Sequence, residues 1–245
     1  MRRLAIFAVL VLAAGAATVP AAAGGRAPQL TIFAAASLTD VFPRIDPRER
    51  YSFAGSNALA AQIRQGLPAD VFASADVALP DRLYLQGLVE RPVLFTANTL
   101  VMIARKGNPD RLHGIYSLER PGLKIVMGAP GVPVGDYTRT VLKRLGLSDI
   151  VAKAASQETD VREVLAKVAL GEADAGFVYA TDARTVRGRV AVFAIPPRAQ
   201  PKVNYAVAVV RSSSHRSTAE AWVERLRAKA AQATLRAAGF LRPGR

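Results

Sequence analysis

The sequence predicts an α/β fold of two lobes, each a mostly parallel sheet flanked by helices, joined by two hinge strands. Three observations carry this. Strand-like and helix-like segments alternate along the chain, which favours helices packed on parallel sheets. Two long apolar strands, near Leu100 and Tyr205, bracket a middle block with β–α units of its own. Several strands run into helices through small or hydroxyl residues, so that strand C-termini and helix N-termini share an edge.

Leu30 to Ala35 is a short β-type run. Ser37 to Phe42 reads as a helix start halted by Pro43 and Pro47. Tyr51 to Phe53 is strand-like, and Asn57 to Gln65 has apolar residues at helical spacing before Gly66 and Pro68 end it. Asp70 to Ser74 is a strand, followed by a helix from Pro80 to Gln86. Leu100 to Ala104 and Lys124 to Gly128 are apolar strands, and Gly135 to Leu145 is a helix closed by Gly146. Asp160 to Leu170 is amphipathic, with Asp160 as its N-cap and Gly171 at its end. Ala175 to Tyr179, Val190 to Ile195 and Tyr205 to Val210 are strands. Ala219 to Ala238 reads as one long helix with Gly239 as its C′ residue. The lobes then divide as residues 24–98 with 203–245, and residues 99–202.

Residues 1–23 fall outside this pattern. Arg2 and Arg3 precede the apolar run Leu4 to Leu12, and Ala21-Ala22-Ala23 offers a small-residue cleavage site. That is the plan of a signal peptide, and the run is shorter than the roughly 20 residues that cross a bilayer. The chain contains no cysteine, which excludes thiolate metal sites, cysteine nucleophiles and the acylated cysteine of a lipid anchor. The expectation is a protein exported to the periplasm by a cleaved signal peptide, without a lipid anchor. The formal net charge is +14. Its basic residues are scattered, with no dense run and no interleaved aromatics, so nucleic acid is not an expected partner. A positive field speeds capture of a small anion without selecting one.

No catalytic constellation appears. His113 and His215 stand alone, and GAPGVPVG (128–135) has the wrong spacing for a nucleotide loop. What recurs is the strand-to-helix junction: around Ser37, around Ser56, around Val134 and at Asp160-Val161. Helix N-termini carry free N–H groups and partial positive charge, and small residues let an anion approach them. Each junction alone reads equally well as ordinary helix capping or core packing.

Together these junctions resemble the periplasmic molybdate-binding proteins of ABC importers. The segments that carry the likeness are FAAASLTD (33–40), SFAGSNALAAQI (52–63), PADVFASAD (68–76), DVREVLAKV (160–168), GFVYATDA (176–183) and VNYAVAVV (203–210), in an order that spans Thr31 to Phe240. The resemblance implies a periplasmic binding protein fold and a monomer that delivers its ligand to a membrane permease. It implies no cofactor and no catalysis; molybdenum enters only as the molybdate, or tungstate, cargo. Carried over by motif, the ligand is held by Ser37 and Ser56 hydroxyls, the Tyr179 hydroxyl, and backbone N–H groups at Val134 and Val161. The sequence departs from the family in the short, proline-bearing stretch between Ser37 and Ser56, in Val134 where relatives often carry Ala, and in Asn57 where a small hydroxyl residue is common. Those departures bear on the choice among molybdate, tungstate and sulfate. The competing readings are a receptor for another tetrahedral oxyanion such as sulfate, and an exported serine hydrolase, which lacks a base beside either serine.

Overall fold

The computed structural model describes residues 27–244, so the leader assigned to residues 1–23 lies outside the described residues. The elements in chain order are β1 (Thr31–Ala35), α1 (Phe42–Ile45), β2 (Arg50–Ala54), α2 (Ser56–Arg64), β3 (Val71–Ser74), α3 (Ala78–Leu85), β4 (Val93–Asn98) and β5 (Leu100–Arg105). They continue as β6 (Ile125–Gly128), α4 (Pro133–Arg144), α5 (Asp149–Ala152), β7 (Ser156–Glu158), α6 (Val161–Ala169), β8 (Ala175–Tyr179), α7 (Ala180–Thr185), β9 (Val190–Ala194), β10 (Val203–Val209), α8 (Arg216–Arg227) and α9 (Lys229–Ala238).

Two five-stranded sheets result, ordered β2-β1-β3-β10-β4 and β7-β6-β8-β5-β9. Both are mixed. In the first, β1 pairs in parallel with β2 and β3, while β10 runs antiparallel to β3 and β4. In the second, β6 pairs in parallel with β7 and β8, while β5 runs antiparallel to β8 and β9. The chain passes between sheets at two places: at Thr99, between β4 and β5, and between β9 and β10. At the first crossing Ala180 N donates to Thr99 O at 2.8 Å, which ties the crossing to the end of β8.

Burial follows the sequence pattern. β3, β6 and β8 are buried along their whole length, as central strands covered on both faces must be. In α6 the buried residues Val161, Val164, Leu165 and Val168 repeat at helical spacing. Asp160 caps this helix as expected, its Oδ1 accepting from Arg162 N at 2.6 Å and Glu163 N at 3.1 Å. An aromatic train runs from Trp222 through Phe42, Phe95 and Tyr205 to Tyr179, with successive ring centroids 5.5–6.1 Å apart in tilted or edge-on geometry. Trp222 and Phe42 belong to the first sheet's side and Tyr179 to the second, so the train links the two halves.

The structure corrects several expectations. No helix runs from Ser37 to Phe42; a 3-10 turn covers Ala36–Leu38 and α1 begins at Phe42. Pro43 sits in the first turn of α1, where its missing N–H costs nothing, so it starts a helix instead of stopping one. The long C-terminal helix is two helices, because Ala228 adopts an extended conformation (φ −71°, ψ 159°). Gln232 Nε2 secures the break by donating to Leu226 O at 3.0 Å and to Phe95 O at 2.9 Å. No Gly or Pro marks it. Gly239 does terminate the last helix, at φ +102°. β4 and β7 had no reading in the sequence. β7 is the polar tripeptide Ser-Gln-Glu, held as a strand only by pairing with β6.

Candidate functional site

The ends of both sheets face one another across a small pocket. From the first sheet come Ser37, just past β1, Gly55 and Ser56 at the start of α2, and Ala75 just past β3. From the second come Val134 near the start of α4, Asp160 and Val161 at the start of α6, and Tyr179 at the end of β8. All five residues singled out in the sequence therefore line one pocket. Their exposures are 3% for Ser37, 1% for Ser56, 1% for Val134, 4% for Val161 and 1% for Tyr179, so any contents would be shielded from solvent.

The local folding reasons differ. The motif GAPGVPVG, read in the sequence as a glycine-rich stretch that leads into a helix around Val134, is also a packing device. A Cβ on Gly135 would stand 2.3 Å from Gly128 O, so the first turn of α4 rests directly on the end of β6. Pro133 opens α4 without an N–H, leaving Val134 as the first residue with a backbone donor. At α6 the Asp160 carboxylate satisfies the N–H groups of Arg162 and Glu163 and leaves that of Val161. α2 begins at Ser56 with no side-chain cap. Three helix N-termini thus converge with their partial positive charge on the pocket.

The hydroxyls are equally specific. Ser56 Oγ accepts from Ala75 N at 3.1 Å. Ser37 Oγ lies 2.8 Å from the hydroxyl of Tyr205, a buried residue of β10. The Tyr179 hydroxyl is buried and has no hydrogen-bond partner among the described residues. A buried hydroxyl without a partner costs about 1–3 kcal/mol, so a fold keeps one for a purpose. Burial holds the Tyr179 phenol far above its ordinary pKa, with Tyr205 and Tyr137 adding to the effect, so it stays a proton donor.

Among the described residues no Lys or Arg lines the pocket, and Asp160 is the one carboxylate that does. Burial raises the pKa of Asp160, against the backbone N–H groups of Glu163 and Arg162 that lower it. Just behind the pocket lies Asp182, fully buried in α7, whose carboxylate accepts from Tyr179 N at 3.3 Å and stands 2.8 Å from Arg162 Nε. Burial pushes the Asp182 carboxyl up to about 7, although Arg162 opposes the shift.

Histidine takes no part. His215 is not alone, as the sequence suggested: its Nδ1 lies 3.2 Å from Asp70 Oδ1. The same carboxylate accepts from Ser213 Oγ at 2.5 Å and Thr31 N at 2.7 Å, which makes it a tie between the start of β1 and the turn after β10. Neither His113 nor His215 lines the pocket, so Ser37 and Ser56 lack a base. No cluster of three or more metal-ligating side chains occurs among the described residues.

Gly55, Arg162, Asp182, Asn98 and Tyr205 were not read as site residues from the sequence. Gly55, Arg162, Asp182 and Tyr205 lie inside the motifs flagged there and Asn98 does not, but the roles of all five depend on neighbours distant in the chain.

A family profile described as bacterial extracellular solute-binding protein matches residues 30–241. The molybdate-binding protein ModA of Mycobacterium tuberculosis (strain H37Rv) is 37% identical over 237 residues, covering 93% of this chain and 90% of that protein. ModA of Escherichia coli (strain K12) is 33% identical over 255 residues, covering 94% of this chain and 97% of that protein. The solved periplasmic molybdate-binding protein of Azotobacter vinelandii superposes with a TM-score of 0.78 at 23% identity, covering 88% of this chain and all of that one, a likeness of fold.

Proposed function

The chain belongs to the bacterial extracellular solute-binding proteins, and from that premise we propose that it captures molybdate, or tungstate, and delivers it to the membrane permease of an ABC importer. It is a binding protein and not an enzyme; the oxyanion is its cargo. The observation that carries the choice of ligand is the unpartnered Tyr179 hydroxyl, buried in a pocket that also holds two serine hydroxyls and three helix N-termini but, among the described residues, no cationic side chain.

A tetrahedral dianion presents only acceptors, and this pocket offers mainly donors. Hydrogen bonds from neutral donors to a charged acceptor are short and strong. The proposed contacts are the hydroxyls of Ser37, Ser56 and Tyr179 and the N–H groups of Val134 and Val161. An oxyanion that retains a proton, such as hydrogen phosphate, would find one side-chain carboxylate, that of Asp160, whose Oδ1 already accepts from two backbone N–H groups. Sulfate offers the same acceptors as molybdate on shorter bonds, so the size of the cage is what separates them.

The proposed lobes are residues 24–98 with 203–245, and residues 99–202. The two sheets support this division, since the first draws on β1–β4 and β10 and the second on β5–β9. Ligand release would then be an opening about the crossings at Thr99 and between β9 and β10. Capture in the periplasm by a monomer fits the same reading.

The test is calorimetric titration of the purified protein with molybdate, tungstate and sulfate at fixed ionic strength. Tight one-to-one binding of molybdate with sulfate silent is the expected result. Heat from sulfate alone would make the protein a receptor for a different oxyanion, and silence with all three would overturn the proposal.

A further inference from the structure

We infer that Tyr205 and Asn98 form a one-way hydrogen-bond chain that compels Ser37 to donate, making Tyr205 a positioning residue for oxyanion selectivity. This rests on the oxyanion-binding reading above.

The direction of the chain follows from its fixed end. Asn98 Oδ1 accepts from the backbone N–H of Thr99 at 2.9 Å. That settles the amide orientation, because an N–H can face only the oxygen of the amide. The Nδ2 end therefore faces the other way, donating to Thr181 Oγ1 at 2.8 Å and, through a longer contact of 3.4 Å, to the Tyr205 hydroxyl. With a donor already pointing at its oxygen, Tyr205 turns its own hydrogen elsewhere. Its side chain is fully buried among the rings of Phe95, Tyr179 and Phe240, and the acceptor within reach is Ser37 Oγ at 2.8 Å. Burial also keeps the Tyr205 phenol protonated. Ser37 thus receives a hydrogen from behind, and its own hydrogen is directed to the pocket it lines.

Ser56 is held in the same state by simpler means, since its Oγ accepts from Ala75 N. Both serines consequently have an acceptor site occupied by the protein and a hydrogen left for a ligand. A serine hydroxyl can ordinarily donate or accept, so two free serines would tolerate a protonated oxyanion. The backing donors occupy one of the two acceptor sites on each serine oxygen and so narrow that tolerance. The chain also crosses the hinge: Asn98 ends β4, Tyr205 lies on β10, and Thr181 belongs to α7 beside the second sheet. Donor orientation at Ser37 is therefore set where the two halves meet.

The experiment compares wild type, Tyr205→Phe, Ser37→Ala and the double variant, titrated with molybdate and with phosphate at pH 8, where phosphate is a dianion carrying one proton. Tyr205→Phe keeps the ring packing and removes the chain. Molybdate affinity is expected to fall about tenfold, the scale of a misdirected hydrogen bond to a charged group. Phosphate affinity should fall less or rise, narrowing the preference. In the Ser37→Ala background Tyr205→Phe should change molybdate affinity by less than twofold, because the residue acts through Ser37. Asn98→Ala, which frees the Tyr205 hydroxyl to rotate, should give a smaller loss that is also silent without Ser37; it serves if Tyr205→Phe melts early. Equal losses for both ligands, or an undiminished effect of Tyr205→Phe without Ser37, would reduce Tyr205 to a packing residue and overturn the inference while leaving molybdate capture intact. A wild-type protein that binds no molybdate would remove both.

Discussion

Arg162, the residue after Val161 on α6, donates from Nη2 to Asp40 Oδ2 at 2.5 Å, and so joins the second half of the molecule to the segment that follows β1. The same guanidinium stands 2.8 Å from buried Asp182 through Nε. Arg162 is anchored on its own side and reaches across to an aspartate whose side chain is 57% exposed. The pair is placed to hold the two halves closed over the pocket without touching its contents.

Asp40→Asn tests that placement. An exposed ion pair is worth about 0–1 kcal/mol, so equilibrium affinity should drop by no more than about fivefold. The loss should appear as faster molybdate dissociation in stopped-flow measurements and should shrink at high salt. An unchanged dissociation rate would mean that the pair only decorates the surface.

Gly55 sets how closely the halves meet. A Cβ added there would stand 2.3 Å from Thr159 O, a backbone atom that cannot swing aside. Gly55→Ala should therefore leave the open protein folded but obstruct closure. Overpacking of this kind costs about 1–3 kcal/mol, which corresponds to roughly a 5- to 150-fold weaker affinity. Small-angle scattering should show wild type compacting on molybdate addition and Gly55→Ala failing to do so. Equal compaction in both would show that Thr159 yields.

Tyr179→Phe and Ser56→Ala should part company in the unliganded protein. Removing the unpartnered Tyr179 hydroxyl relieves a buried polar group, so the free protein should keep or raise its thermal midpoint. Ser56→Ala strips the acceptor from Ala75 N and should destabilise the free protein by about 1 kcal/mol. Both should weaken molybdate binding by about 1.5–3 kcal/mol, the value of a hydrogen bond to a charged group. A stability loss in Tyr179→Phe would mean that its hydroxyl already has a partner in the free protein.

Asp182 gives folding a pH dependence that the ligand contacts themselves lack. Its carboxyl titrates near 7 in the folded chain because of burial, well above the ordinary carboxylate range. Between those values the folded state binds a proton that the unfolded chain has released. Stability from this group is therefore full below the ordinary carboxylate pKa and is lost as pH rises through about 7. Scanning calorimetry from pH 5 to pH 8 should show wild type losing midpoint relative to Asp182→Asn. Parallel pH profiles for the two proteins would show that Arg162 keeps Asp182 ionised throughout.

Much of this molecule was legible in the chain itself. The helical spacing of Val161, Val164, Leu165 and Val168 behind an Asp N-cap determined α6, and the apolar runs near Leu100 and Tyr205 marked the strands beside the crossings, because these signals are local. Four of the five pocket residues, Ser37, Ser56, Val134 and Val161, were read at strand-to-helix junctions, and Tyr179 came only from the family resemblance. Tertiary structure alone decided which neighbour completes each of them. β7 is a strand only because β6 pairs with it, and the break at Ala228 follows from where Gln232 finds its acceptors. Ser37 meets Tyr205 across 168 positions of sequence and Arg162 meets Asp40 across 122. A hydroxyl's direction and an ion pair's reach depend on such distant partners, and no periodicity within either segment encodes them.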